Sequence, residues 1–516
     1  MSTKVKPLDV EEFSGWRARL WPIHGYELMK FLPLAFIMFC LLFNYTILRD
    51  VKDSLVVNSA GAGAITFLKL YCVTPAAILF VIMYAKLTNL LKRETVFYAV
   101  VTPFLVFFGL FALIYPHLNL LHPSNASIET LHHSYPRLSG FIDIYAYWAY
   151  SLFYVLSEIW GSAMVSLMFW QFANYIVKMS ESKRFYGLFA VIGNLSLMLS
   201  GGVLALFSGA NFQQFFSSKE EAWKVSVYLL MGAVVIFGII AMALYRWMHL
   251  RVLTDKKYFD PAEQAEKPKK KKEKPSLLES AKLIFTSPEL GLIAILLMAY
   301  GISINLVEVQ WKHQLGLYFG GDKGGYAAFM GIYSFLTGMM TILFGLFIGS
   351  NILRRVSWFK AAVITPLAIT IGGVVFFCFI FSETIVDFLT HSTGIAATAA
   401  ATFLGAAIVL MSKAIKYILF DSTKEMAYIP LNDELKTKGK AAVDVIGGRA
   451  GKAGGAFTQS TLFILFATKD VVFIAPYAFA VFAVVCASWL FAVKVLSSKV
   501  DSASIKSTKE EISVTS

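Results

Sequence analysis

The sequence predicts an all-α membrane protein of about twelve transmembrane helices, arranged as two six-helix halves. Three observations carry this. The 516 residues are 57% hydrophobic and only 15% charged, whereas soluble domains carry about 25% charged residues. The charges are clustered and leave long apolar runs, such as Phe31–Leu48, Phe104–Leu113, Val227–Leu244 and Val471–Val493. Lys and Arg concentrate in alternate gaps between such runs. A helix rising about 1.5 Å per residue needs about 20 apolar residues to cover a ~30 Å hydrocarbon core. Irregular backbone cannot face lipid, so the spans form a helical bundle.

Spans are expected near residues 31–48, 64–87, 96–115, 144–176, 185–208, 226–248, 289–308, 326–349, 358–381, 394–420, 442–466 and 471–495. The fourth and tenth are long enough to be tilted or broken. The loops test this count, because cytoplasmic loops are enriched in Lys and Arg. The N-terminal segment carries Lys4, Lys6, Arg17, Arg19 and Lys30. The even-numbered loops carry Lys86, Lys92 and Arg93, then Lys178, Lys183 and Arg184, then Arg246, Arg251 and the run Lys267–Lys274. Arg354, Arg355 and Lys360 follow, then Lys436, Lys438 and Lys440, and the tail has Lys494, Lys499, Lys506 and Lys509. Odd loops are poorer, and residues 382–393 hold no Lys or Arg. The pattern puts both termini in the cytoplasm of a multi-pass protein.

The clearest boundary is Asp255–Pro275, polar and rich in Lys, Glu and Pro. The expected organisation is therefore a cytoplasmic N-terminal segment (1–30), a first six-helix half (31–250), a basic cytoplasmic linker (251–285), a second six-helix half (286–496) and a disordered cytoplasmic tail (497–516). The basic run reads first as linker and topology signal, with anionic lipid headgroups as a further partner. Six plus six with a long central loop is the layout of the major facilitator superfamily, whose substrates sit near the midplane between halves.

Several other functions are excluded. The first thirty residues lack a short apolar core followed by a cleavage site, so no cleavable signal peptide is expected. Cys40, Cys72, Cys378 and Cys486 lie in or beside apolar runs and read as small buried hydrophobes. The net charge of +13 is spread over loops and does not form a nucleic-acid footprint. Gly447-Gly448-Arg449-Ala450-Gly451-Lys452 has the wrong spacing for a phosphate loop, and Ala453 stands where a magnesium-binding Ser or Thr belongs. Asn44 and Asn194 begin glycosylation triplets but fall in spans, leaving only Asn125 in a loop. His117, His122, His132 and His133 share one external loop without metal-ligand spacing and read as solvated. No catalytic motif appears, and neither cofactor nor metal is expected.

Charges inside spans are costly and mark a pathway or a pair. The first span ends Arg49-Asp50-Val51-Lys52-Asp53, Glu158 lies deep in the fourth, and Asn305, Glu308 and Lys312 close the seventh. The tenth carries Lys413 and Lys416, with Asp421, Lys424 and Glu425 just beyond, and the eleventh opens with Arg449 and Lys452 among glycines. For Arg49, Asp50, Asp53, Lys312, Lys413 and Lys424, pairing or snorkelling at the interface is an equal reading. Glu158 is too short to reach water from among apolar neighbours. Arg49-x-x-Lys52 and Lys413-x-x-Lys416 each set two cations on one helix face, an arrangement that suits a polyanion. The glycines from Gly447 to Gly455 permit close approach, more simply of helix to helix than of helix to ligand.

At these residues the chain resembles the nucleotide transporters, or ATP/ADP translocases, of plastids and obligate intracellular bacteria. The similar stretches are Phe43–Asp53, Ser157–Ser162, Ala299–Trp311, Asp421–Leu431 and Gly439–Gly455, and the likeness runs from about Trp21 to Ser497. It departs from the commonest pattern at Val51, where many exchangers have Thr, and at Ala453, often Ser. The resemblance implies exchange of external ATP for internal ADP across the inner membrane of a bacterium. It also implies four functional charges, Lys52, Glu158, Glu308 and Lys452. Arg49, Asn305, Lys416, Lys424 and Arg449 complete the candidate set, and a monomer is expected.

Two rivals remain. A proton-coupled importer of nucleoside triphosphates would use Glu158 or Glu308 as proton carrier. In an exchanger, the two carboxylates would instead pair with Lys52 and Lys452 and give them up to substrate. A lipid-modifying membrane enzyme would need a catalytic constellation that the sequence lacks.

Overall fold

The computed structural model describes Arg17, residues 21–255, 258, 259, 282, 284, 286–345, 356–431, 435, 439, 440 and 443–515. Among the described residues are twelve long helices: α1 (Gly25–Ala60), α2 (Ala64–Leu90), α3 (Arg93–Leu121), α4 (Trp148–Ile176), α5 (Arg184–Gln213), α6 (Lys219–Arg251), α7 (Pro288–Phe319), α8 (Lys323–Phe344), α9 (Trp358–Phe381), α10 (Ala397–Ala427), α11 (Gly448–Leu465) and α12 (Ala475–Val500). All but α11 are long and apolar enough to cross a membrane. In α11 the glycines Gly448, Gly451, Gly454 and Gly455, with Arg449 and Lys452, lower the hydropathy. No strand occurs among the described residues.

The helix boundaries correct three expectations. The first helix continues well beyond residue 48 and ends only at Gly61, whose φ of 82° suits glycine. Arg49, Asp50, Lys52 and Asp53 thus lie within the helix, and all but Arg49 are buried, rather than ending it at an interface. The histidine loop is helical, at Asn125–Ser134 and Ser139–Ala146. There His132 pairs with Asp143 at 3.0 Å, so it is not merely solvated. The last helix carries on through Thr515 where a disordered tail is expected. No Gly or Pro interrupts Asp501–Thr515, so the backbone has no breaker after α12. The run Lys267–Lys274 lies outside the described residues.

The long fourth and tenth spans are both interrupted. A π-helical stretch occupies Gly161–Phe169 in α4 and another Lys416–Phe420 in α10. Further π-helical stretches lie at Leu68–Val73 in α2 and Val443–Gly447 before α11. Such turns widen a helix locally and concentrate at functional sites.

Small residues bring the helices together where backbones must meet, as is usual in lipid. A Cβ on Gly301 of α7 would lie 2.8 Å from the Gly451 backbone, and one on Gly455 would lie 2.7 Å from Asn305. The α11 glycines at 451 and 455 therefore serve helix packing. The two halves meet in the same way: a Cβ on Gly201 of α5 would lie 2.4 Å from the Gly331 carbonyl of α8.

Cross-half links sit at mid-span or on the side away from the termini. Ser54 donates to the Lys323 carbonyl at 2.6 Å, Lys219 pairs with Asp322 at 2.8 Å, and Phe67 meets Phe463. On the terminus side the described pairs stay within one half. Lys30–Glu181, Arg184–Glu27 and Arg246–Glu94 belong to the first, and Lys424–Asp444 and Lys499–Glu289 to the second. The described cross-half links thus gather at mid-span and on the far side, and the partly exposed Glu158 and Lys413 with the exposed Lys452 mark a cleft between the halves.

Candidate functional site

The closed end of this cleft holds a string of charges from four helices. Lys52 of α1 donates to Asp53 Oδ1 at 2.9 Å and pairs with Glu158 Oε1 of α4 at 2.9 Å. The other Asp53 oxygen, Oδ2, lies 2.9 Å from Lys312 Nζ of α7. One turn back on α7, Glu308 Oε1 lies 3.6 Å from Lys312 and accepts from Lys413 of α10 at 3.3 Å. The order is Glu158, Lys52, Asp53, Lys312, Glu308, Lys413, with signs alternating throughout. Three carboxylates balance three ammonium groups, as buried charges require.

The string is graded in depth. The side chains of Lys52 and Asp53 are each 2% exposed, whereas Glu158 is 27% exposed. Its middle is therefore sealed between the halves and its ends face the cleft. Below Lys52 the Tyr154 ring lies 3.7 Å from Nζ, adding a cation–π contact in a site screened from water.

A second cross-half cluster lies one turn along α1. Arg49 Nε donates to Asp50 Oδ1 at 2.9 Å, while Ser334 Oγ of α8 donates to Asp50 Oδ2 at 2.6 Å. Arg49 also donates to Ser334 at 2.7 Å. Asp50 is buried, so both of its oxygens are satisfied within this cluster.

The sequence-predicted residues separate into groups. Lys52, Glu158 and Glu308 lie on one string. Lys452 is exposed in the cleft, with Tyr45, Glu158, Tyr417 and Glu308 as electrostatic neighbours. Glu308 takes Lys413 and Lys312 as partners rather than the Lys452 expected for a paired gate. Arg49 belongs to the Asp50 cluster. Asn305 is buried against α11, its Oδ1 accepting from Gln459 at 3.3 Å, so its side chain is used in helix packing. Lys416 pairs with Asp421 at 2.9 Å, and Lys424 with Glu425 and Asp444 at 3.0 Å each, nearer the terminus side. Arg449 is exposed at the start of α11.

Asp53 and Lys312 were visible in the sequence as charges within or beside spans but not as members of the site, whereas Lys413 was read with Lys416 as a cation pair suited to a polyanion. Their signal was local: Lys312 stands four residues after Glu308, and Asp53 directly follows Lys52. Spacing alone cannot show that Asp53 faces the other half. Among the described residues no group of His, Cys, Asp and Glu could hold a metal ion. What the arrangement can do is exchange partners. An ammonium held by a carboxylate can be taken over by a phosphate oxygen, since both acceptors make charge-assisted hydrogen bonds.

Comparison with known proteins agrees with this chemistry. The sequence model of the TLC ATP/ADP transporter family matches residues 7–500. "ADP,ATP carrier protein 1" of Rickettsia bellii is 46% identical over 488 residues, covering 94% of this chain and 96% of its own. The protein of the same name from Chlamydia trachomatis is 46% identical over 463 residues, covering 88% of this chain and 85% of its own. Among solved structures, the nucleoside transporter NupG superposes with a TM-score of 0.56 at 12% identity, covering 90% of this chain and 99% of that one. A bacterial homologue of the iron transporter ferroportin superposes at 0.54 and 13% identity, covering 91% of this chain and 100% of that one. At such identities these two likenesses concern the fold, which is of the twelve-helix major facilitator type.

Proposed function

The chain belongs to the TLC ATP/ADP transporter family, and from that premise we propose that it exchanges external ATP for internal ADP by alternating access between its two halves. It is a multi-pass membrane protein and a nucleotide transporter. The observation that carries the exchange reading is the charge string. Its sealed centre, the Asp53–Lys312 pair at 2.9 Å, ties the halves together, and its ends reach the cleft. A polyphosphate entering the cleft meets Lys452 first and then competes with Glu158 and Glu308 for Lys52 and Lys413. Substrate therefore changes which pairs hold the halves, and a ligand shifts a conformation only through such differential contacts.

Lys52, Glu158, Glu308 and Lys452 are the principal substrate-responsive groups in this reading. Lys413 and Lys312 join them, and Arg49, Lys416, Lys424 and Arg449 are flanking cations along the cleft. The bias of Lys and Arg toward alternate loops supports cytoplasmic termini in a bacterial inner membrane. The closed side would then face outward. The carboxylates already have ammonium partners, which favours a gate over a proton carrier.

The test is uptake of labelled ATP into liposomes. Uptake that requires internal ADP supports exchange. Equal uptake into liposomes holding only buffer would overturn it.

A further inference from the structure

A further cation within the spans stands outside the string. Lys69 lies on α2 in the π-helical stretch Leu68–Val73 and is half-buried. That stretch packs against α4, which carries Glu158, and against α11, which carries Lys452. The electrostatic neighbours of Lys69 are Glu308, Lys312, Glu158 and Lys52, which include two of the three carboxylates of the string. Yet among the described residues its Nζ makes no ion pair or hydrogen bond. Charges in spans are costly and are normally paired. The six members of the string already cancel, so Lys69 and Lys452 are two surplus positive charges beside it.

We propose that Lys69 is a phosphate-binding residue of the transported nucleotide, acting with Lys452 from the opposite half to clamp the polyphosphate. The proposal rests on the nucleotide-exchange reading above. The two lysines sit on helices that touch each other across the halves, α2 and α11. Both see Glu158 and Glu308. A polyanion lodged between them gains two ammonium groups that form no ion pair among the described residues. It then needs to displace fewer internal pairs. Lys69 lies in a π-helical turn, of the kind that concentrates at functional sites, near Glu158 and Glu308 but without an ion pair to either.

The test measures binding of ATP and of inorganic tripolyphosphate to the purified protein by calorimetry. Lys69→Met should weaken both ligands by about tenfold or more, and Lys69→Arg should keep most of the affinity. Wild-type affinity for tripolyphosphate in Lys69→Met would overturn the proposal. If Lys52→Ala loses affinity while Lys69→Met does not, only this inference fails. If neither loses it, the nucleotide reading of the string fails as well. A second measurement needs no variant. Reductive methylation of the wild-type protein, read by peptide mass spectrometry, should modify Lys69 more slowly when tripolyphosphate is present. Modification at an unchanged rate would contradict the proposal.

Discussion

The Asp53 carboxylate and the Lys312 ammonium lie 2.9 Å apart and join the first six-helix half to the second. Both side chains are nearly sealed from solvent, at 2% and 5% exposure. Removing one partner of such a pair strands the other charge and costs about 3–5 kcal/mol, more than the pair itself contributes. Asp53→Asn should therefore lower the thermal stability of the detergent-solubilised protein and slow exchange. Adding Lys312→Met should restore much of the stability but not the exchange. An Asp53→Asn protein as stable and as active as wild type would contradict a load across this pair.

Lys52 and Lys452 are expected to carry phosphate in different ways. Lys452 stands exposed in the cleft, whereas Lys52 must first leave Asp53 and Glu158. A charge-assisted contact contributes about 1.5–3 kcal/mol, or roughly ten- to a hundredfold in affinity. Lys52→Ala and Lys452→Ala should each weaken ATP binding by that factor while the protein still inserts. Lys52→Ala should also destabilise the apo-protein, because two carboxylates lose their common partner, and Lys452→Ala should not. Equal stability losses in the two variants would refute this division of roles.

The seam between α5 and α8 offers a test free of charge effects. Gly201 and Gly331 approach so closely that an added Cβ would sit 2.4 Å from backbone oxygen. Overpacking of this kind costs about 1–3 kcal/mol. Gly201→Leu should keep the far side from closing and reduce exchange while nucleotide binding survives. Exchange at the wild-type rate would show that the seam does not need to close.

The helices were largely legible in the sequence because hydropathy in lipid leaves few alternatives. Their ends were less so. The first helix runs past residue 48 because the charges there have partners on other helices, which hydropathy cannot see. The site was half legible. Lys52, Glu158, Glu308 and Lys452 stood out through motif resemblance. Asp53 and Lys312 needed the structure, since only packing shows which face of α1 meets α7. Asn305 could not be placed from sequence for the same reason, its side-chain oxygen accepting from Gln459 of α11. Lys69 carried no motif and was not singled out from the sequence; its neighbours Glu158 and Glu308 come from other helices.

Topology can be read independently of transport. Cysteines at positions 125 and 270, in an otherwise cysteine-free protein, should label oppositely with a membrane-impermeant reagent in intact cells. Position 125 should react and position 270 should not. Equal accessibility would overturn the division into two six-helix halves.

Glu158 and Glu308 are proposed to gate exchange by holding lysines rather than to carry protons. The most direct measurement is ATP accumulation in liposomes under an imposed proton gradient, with and without internal ADP, for wild type and for Glu158→Gln and Glu308→Gln. Both variants should exchange more slowly at every pH, and no protein should accumulate ATP on the gradient without internal nucleotide. Gradient-driven accumulation by wild type, lost in one Glu→Gln variant that still exchanges, would contradict the account.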